Sequence, residues 1–200
     1  MPAPTLTVAI LAGGAASRLG GRDKGLEPLA GKPMIEWVLE YCARHAGANA
    51  ELVIIANRNV DAYARYAHVR TDAIAGFQGP LAGVASAMDA AAAPRVLTLP
   101  VDCPEPPADL AKRLGAAMEA TAASAAVAHD GERRQPLFAL YRRDLAISAA
   151  AGAGAGQGVH EWQNATGAIE VDFADCRQQF HNLNTPEEFA AYADALRSRD

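Results

Sequence analysis

Two hundred residues are enough for one domain with a core that is stable alone, and half of them are hydrophobic, which excludes a disordered chain. A net charge of −5 argues against general nucleic-acid binding. No apolar run approaches the roughly 20 residues of a membrane-crossing helix, and Met1-Pro2-Ala3-Pro4 has neither the basic nor the apolar region of an export signal. Cys42, Cys103 and Cys176 are odd in number and widely spaced, which fits neither a disulfide framework nor a zinc site. His45, His68, His129, His160 and His181 show no ligand spacing. The expectation is a reducing cytoplasm, with no membrane and no nucleic-acid partner.

In chain order, apolar strands alternate with amphipathic helices, which predicts an α/β protein with a mainly parallel sheet. An apolar run from Thr5 to Leu11 is the first strand. Pro33 opens a helix to about His45, with Ile35, Val38, Leu39 and Cys42 on one face. Residues 51–56 read as a buried strand and 61–67 as a short helix. Residues 71–79 read as a loop and 81–93 as an alanine-rich helix. A buried strand covers 95–99 and stops at Pro100. Residues 106–122 are predicted helical. Strands at 124–129 and 136–141 flank the polar turn Asp130-Gly131-Glu132. Asp144 is expected to cap another helix. The alternating alanines and glycines of 149–158 lack a strand feeding them and the spacing of a dinucleotide fingerprint, so they read as a mobile connection. A strand at 168–173 follows. Thr185 caps a last helix, with Pro186 at its first position and Glu187 and Glu188 in its first turn.

The first strand feeds Leu11-Ala12-Gly13-Gly14-Ala15-Ala16-Ser17-Arg18-Leu19-Gly20-Gly21-Arg22-Asp23-Lys24-Gly25. Glycines let backbone N–H groups approach an anion without a Cβ in the way, and Arg18, Arg22 and Lys24 add fixed positive charge. A strand, a glycine loop and clustered cations can hold a nucleoside triphosphate. The ATPase P-loop is excluded, because Gly31-Lys32 is followed by Pro33 rather than a hydroxyl. The plain alternative is a basic surface loop. In an open parallel sheet, ligands sit beyond the carboxyl ends of the strands. That rule gathers the glycine loop, Asn57 after the second strand and Asp102 after the strand at 95–99 onto one edge. A carboxylate at Asp102 can hold Mg²⁺, which takes one or two carboxylates plus phosphate oxygens and water. Its plain alternative is a turn cap. Asp23 reads as a loop cap. Gly79-Pro80-Leu81-Ala82-Gly83 reads as a turn opening a helix, with N–H groups free for an anion.

The order Leu-Ala-Gly-Gly, Ser-Arg-Leu-Gly, Asp-Lys-Gly and Leu-x-Gly-Lys-Pro, from Leu11 to Pro33, resembles the signature of the nucleotidyltransferases that build the molybdenum cofactor. The resemblance continues through Ala56-Asn57-Arg58, Gly79-Pro80-Leu81-Ala82-Gly83, Pro100-Val101-Asp102-Cys103-Pro104, Gln135-Pro136-Leu137 and Asn182-Leu183-Asn184-Thr185-Pro186-Glu187-Glu188. It spans nearly the whole chain, and the closing motif points to the molybdenum cofactor guanylyltransferases.

That resemblance implies a Rossmann-like sheet of the nucleotide-diphospho-sugar transferase type in a single domain, residues 1–200. About 1–105 would bind GTP and Mg²⁺, and about 106–200 would supply the molybdopterin side. It implies Arg18, Lys24 and Asp102 as catalytic residues, with Asp102 as the metal carboxylate. It implies Leu11, Ala12, Gly13, Gly14, Lys24, Asn57, Asp72, Gly79 and Asp102 as the GTP site, and Asn182 and Asn184 as the molybdopterin contacts. Relatives that use cytidine nucleotides tend to carry Leu-Ala-Ala-Gly. Gly13 lacks that methyl and leaves room for a purine. Some guanylyltransferases carry Asn where this chain has Ile55, so backbone carbonyls, Asn57 or Asp72 would accept from guanine. Asn182 and Asn184 share parity, so two amides on one face would read a pterin edge. Alternatively, Asn184 and Thr185 only cap the last helix.

The implied reaction moves GMP from GTP to the phosphate of molybdenum-molybdopterin and releases pyrophosphate. A phosphate monoester has its second pKa at about 6, so the nucleophile is ionised at neutral pH and needs no dedicated base. The partners would be GTP, molybdenum-molybdopterin and, transiently, the molybdenum-inserting and acceptor enzymes, with the chain a monomer. Alternatives are a relative using CTP or a sugar phosphate acceptor, a non-catalytic molybdopterin carrier, or a GTP switch. The switch lacks the hydroxyl that holds Mg²⁺ in such proteins.

Overall fold

A computed structural model describes residues 3–13, 23–72 and 79–198. Its strands are β1 (Leu6–Leu11), β2 (Pro28–Leu29), β3 (Lys32–Pro33), β4 (Ala50–Ile55), β5 (His68–Arg70), β6 (Arg95–Pro100), β7 (Ala125–His129), β8 (Arg134–Arg142) and β9 (Ile169–Asp172). Its helices are α1 (Met34–His45), α2 (Val60–Tyr63), α3 (Pro80–Ala90), α4 (Leu110–Thr121), α5 (Ala146–Gly154), α6 (Val159–Ala165) and α7 (Pro186–Arg197).

Seven strands form one sheet in the order β5-β4-β1-β6-β8-β7-β9. β1 pairs in parallel with β4 and β6, β4 with β5, and β7 with β9, while β8 is antiparallel to both β6 and β7. All the strands of this sheet except β8 therefore run one way. β1 is an apolar run because both its faces are covered, as in parallel sheets generally. Val8 and Ile10 face a layer that includes Ile35 and Val38 of α1 and Leu110, Leu114 and Met118 of α4. Ala9 and Leu11 face the opposite layer, with Leu81, Val84 and Met88 of α3, Ala149 and Ala153 of α5 and Trp162 of α6. The result is a helix–sheet–helix sandwich.

The chain leaves β1, builds β4 and β5 outward on one side, then returns to lay β6 on the other side of β1. The order reverses between β1 and β6. At such a switch point the loops leaving the two strands part and open a crevice at their carboxyl ends. Those loops carry Gly13 and Asp102.

A two-residue hairpin, β2–β3, follows the glycine loop. Ala30 and Gly31 form its turn with φ of 48° and 91°, the left-handed values that a tight two-residue turn requires. Lys32 sits over the Trp37 ring at 3.8 Å and pairs with Glu40, so this lysine serves the hairpin. Leu29, Met34 and Leu183 form a small separate core, covered by Trp37 and by Phe189, Tyr192 and Leu196 of α7.

Several expectations need correction. The helix expected over 61–67 is the single turn Val60–Tyr63, and the three-residue β5 follows it. The helix expected from 106 starts at Leu110, after Pro106 and Pro107. Asp144 does not cap a helix: it lies inside a 3₁₀ turn, Arg143–Leu145, and pairs with Arg142. The stretch 149–158, expected to be a mobile connection, belongs in large part to α5 and is followed by α6. Small side chains are what the packing needs there. A Cβ on Gly152 would lie 3.1 Å from Trp162 Cδ1 and 3.3 Å from Leu81 Cδ2.

Candidate active site

The site is built where the ends of β1 and β6 part. Ala12 N–H donates to Ile55 O at 2.9 Å and Val101 N–H donates to Leu11 O at 3.1 Å, so pairing continues just past the strands before the loops diverge. Asp102 then projects from the end of β6. The backbone of the closing motif is tied beside it, with Leu183 N–H donating to Asp102 O at 2.8 Å.

Lys24 reaches this point from the other side. It starts a 3₁₀ turn, Lys24–Leu26, capped by Asp23, whose Oδ1 accepts from Gly25 N–H at 3.1 Å. Asp23 also accepts from Tyr63 Oη and from Asn59 Nδ2 at 2.9 Å. The expected cap is present, and it anchors the loop to the turn after β4. Burial first, and then the Asp23 carboxylate, push the Tyr63 hydroxyl well above its ordinary range, so it stays a donor. Gly25 is required by close packing: a Cβ would fall 2.3 Å from Tyr63 Oη and 2.8 Å from Val101 Cγ2.

From this anchor, Lys24 Nζ donates to Asp102 Oδ2 at 2.9 Å and to Asn184 Oδ1 at 2.6 Å. The Lys24 and Asp102 side chains are 22% and 17% exposed, so the pair is partly shielded yet open to a ligand. Three segments far apart in sequence thus meet at one ammonium group. Asn184 is held in turn: its backbone N–H donates to Glu188 Oε2 at 2.6 Å and its Nδ2 donates to Asn182 O at 2.9 Å. Thr185 and Glu188 complete a reciprocal capping box at the start of α7. The Asn184 N–H holds the Glu188 carboxyl below its ordinary range, more than offsetting burial, and the Thr185 N–H adds to this. Asn182 Oδ1 is buried and has no hydrogen-bond partner among the described residues.

Two further residues expected at the site lie beyond the ends of β4 and β5. Asn57 and Asp72 clasp each other: Asn57 Nδ2 donates to Asp72 Oδ2 at 2.6 Å, and Asp72 N–H donates to Asn57 Oδ1 at 2.8 Å. The Asn57 amide therefore orients Asp72. Asp72 Oδ1 is left buried and without a partner among the described residues, an acceptor whose desolvation nothing there offsets. Among the described residues a Cβ on Gly13 would meet only Asn57 Nδ2, at 3.9 Å. Gly79 precedes α3 with extended backbone and Pro80 begins the helix.

Gly83, in the first turn of α3, lies beside Leu11 and Asp72. A Cβ there would sit 3.7 Å from Leu11 Cδ2 and 4.0 Å from Asp72 Oδ1. Gly83 and Glu188 are the two residues that site reasoning from sequence missed, although both stand inside quoted motifs. Arg18 and Gly14, and Arg22 beside them, lie outside the described residues. Cys103 is next to Asp102 but buried; burial and then the Asp102 charge push its thiol far above the ordinary range, which removes it as a nucleophile.

Among the described residues no three His, Cys, Asp or Glu gather to hold a metal. Asp102 carries a hard carboxylate oxygen, already paired with a cation, the Lys24 ammonium. This chemistry suits Mg²⁺ brought with a nucleotide, where phosphate oxygens and water complete the shell.

A mainly parallel sheet whose order reverses between β1 and β6, with a lysine–carboxylate pair and a buried, unpartnered carboxylate oxygen beyond the strand ends, has the form of an α/β nucleotidyltransferase. A MobA-like NTP transferase domain matches residues 8–169. A molybdenum cofactor guanylyltransferase of Shewanella amazonensis is 44% identical, over 94% of this chain and 95% of its own. One of Burkholderia vietnamiensis is 43% identical, over 96% and 99%. The molybdopterin-guanine dinucleotide biosynthesis protein A of Archaeoglobus fulgidus shares the fold at a TM-score of 0.78 and 22% identity, covering 97% of this chain and all of that one. A 2-C-methyl-D-erythritol 4-phosphate cytidylyltransferase of Thermus thermophilus shares it at a TM-score of 0.66 and 17% identity, covering 94% and 98%. The chain belongs to the MobA-like NTP transferases and, within them, to the molybdenum cofactor guanylyltransferases. It is a nucleotidyltransferase. Among the described residues no helix is long and apolar enough to cross a membrane.

Proposed function

We propose that this chain transfers GMP from GTP to molybdenum-molybdopterin, giving the guanine dinucleotide cofactor and pyrophosphate. The observation that carries this reading is the meeting of Lys24, Asp102 and Asn184 at the switch point, with buried, unpartnered acceptor atoms on Asp72 and Asn182. In this reading residues 1–105 hold the nucleotide and residues 106–200 the acceptor.

Leu11, Ala12 and Gly13, with Gly14 after them, line the guanine. Asp72 Oδ1 accepts from the guanine N1–H and N2–H edge, held in place by Asn57. Gly79 opens α3 beside the nucleotide and Lys24 faces the phosphates, with Arg18, by the family resemblance, their second cation. Asp102 would hold Mg²⁺, which would supply Lewis-acid polarisation of the α-phosphate. Asn182 offers its unpaired Oδ1 to a pterin N–H. The attacking phosphate is ionised at neutral pH, so the residues have to align and stabilise rather than remove a proton. Lys24 meets negative charge that grows on the α-phosphate as the new bond forms and pyrophosphate leaves.

In this reading the chain is a cytoplasmic monomer that passes its product on in transient contacts with molybdenum-inserting and acceptor enzymes. Incubation with labelled GTP, Mg²⁺ and molybdenum-molybdopterin tests the reading. The expected product is a labelled guanine dinucleotide. Equal transfer from CTP would overturn the guanylyl assignment.

A further inference from the structure

The geometry points to Asn184 as a positioning residue for Lys24 rather than a contact to the acceptor, an inference that rests on the nucleotidyl-transfer reading above. An ammonium group has three N–H donors and no acceptor. Lys24 gives one to Asp102 Oδ2 at 2.9 Å and one to Asn184 Oδ1 at 2.6 Å. Two tied donors fix the direction of the third, and that third donor is the one available to a phosphate. A lysine is otherwise a point charge on a flexible four-carbon stem. With Asp102 alone as partner, Nζ could swing about a single hydrogen bond.

Asn184 is built for this task. Its Nδ2 is anchored on Asn182 O at 2.9 Å and its backbone N–H on Glu188 Oε2 at 2.6 Å, so its Oδ1 is delivered to Lys24 by the start of α7. Glu188 is itself fixed by accepting from Thr185 N–H at 3.0 Å within the capping box. Asn182 differs: its Oδ1 is buried with no partner among the described residues, as an acceptor kept for a ligand would be. The two asparagines of one motif thus divide the work. Asn182 faces the acceptor, and Asn184 aims the lysine.

The sequence contains three lysines, Lys24, Lys32 and Lys112, and Lys112 is exposed. Labelling the ligand-free protein with an amine-reactive ester and reading each lysine by peptide mass spectrometry gives a Lys24/Lys112 ratio. Asn184→Ala should raise that ratio severalfold, up to roughly tenfold, the size expected when a charged hydrogen bond is lost. In steady state it should lower kcat by about tenfold or more and leave the molybdopterin KM within about twofold, the split of an interaction acting in the transition state. Asn184→Asp keeps an oxygen for Lys24 and should hold the ratio at or below the wild-type value. A loss of packing alone would not be reversed by that variant.

An unchanged ratio in Asn184→Ala overturns the assignment. So does a raised molybdopterin KM with kcat retained, which would make Asn184 an acceptor contact. If the wild-type chain makes no guanine dinucleotide, the transfer reading fails, and the labelling ratio decides the Lys24 tie on its own.

Discussion

Asp102 stands one residue beyond the point where β6 stops pairing with β1, and its charge is countered by Lys24 across the crevice. Asp102→Asn keeps the shape and removes that charge. It should cut Mg²⁺-dependent turnover by about 10²–10³-fold, the scale of losing one preorganised electrostatic contact. The fold should survive, because the backbone ties of this segment do not use the carboxylate. A thermal melt beside a turnover assay checks both, and turnover within a few-fold of wild type would move the metal elsewhere.

Gly13 makes a second test at this scale. Among the described residues a Cβ there meets nothing closer than 3.9 Å, so Gly13→Ala should leave stability unchanged. Any loss of GTP affinity then reports crowding against the base. Calorimetry with GTP and CTP should show weaker GTP binding in the variant and a GTP preference in the wild type. Unaltered GTP affinity would remove the steric account of base choice. Lys24, Asp102 and the asparagine pair were legible because their motifs are contiguous and polar in an apolar setting. The packing role of Gly25 was not, since the partner that excludes a side chain there, Tyr63, is brought in by the fold.

Among the elements, the legible ones carry their own punctuation. α7 begins with Thr-Pro-Glu-Glu, and all parts of its capping box are local. Thr185→Ala should cost about 1 kcal/mol, as N-cap loss generally does. Because Glu188 also holds Asn184, the same change should lower turnover through Lys24 while GTP binding changes little. A urea titration and a kinetic run on the one variant check this, and lost stability with full turnover would separate the cap from the site. The elements that escaped reading lack such marks. β5 is three residues long and exists because β4 offers it an edge. Apart from Ile147 and Ser148, α5 is alanine and glycine, which carry almost no periodic signal; tertiary contact with α3 and α6 decides its state, and its small residues are selected by that contact. α6 has no side-chain cap and is seven residues long, too short for a period to emerge.

Over the whole molecule, the common direction of most of the strands puts the carboxyl ends of β1, β4 and β6 on one edge, and the segment 182–184, ahead of an α7 that packs beside the β2–β3 hairpin, reaches the same place. Burial and charge in this arrangement also set how stability responds to pH. Glu188 is held low chiefly by the Asn184 N–H, and Asp175 by Arg113. Burial of Asp130 acts upward, but N–H donors from Arg133 and Glu132 with the Gln135 amide outweigh it, so its carboxyl is also low. Each is lower in the folded chain than the unfolded values of about 3.9 for Asp and 4.3 for Glu, so their stabilisation is present above those values and is lost as pH falls through and below them. At the other end, burial pushes the Cys42 thiol up to about 12, and Tyr41, Tyr63 and Tyr141 also rise with burial. These groups stay neutral in the fold, while the unfolded chain sheds its protons above about 8.5 for Cys and about 10 for Tyr, so stability falls as pH rises past those values. The urea midpoint should therefore be flat between about pH 5 and 8 and decline on both sides. A midpoint that rose on acidification from about pH 5 to 3 would show that the native hydrogen bonds to these carboxylates are not the ones that matter.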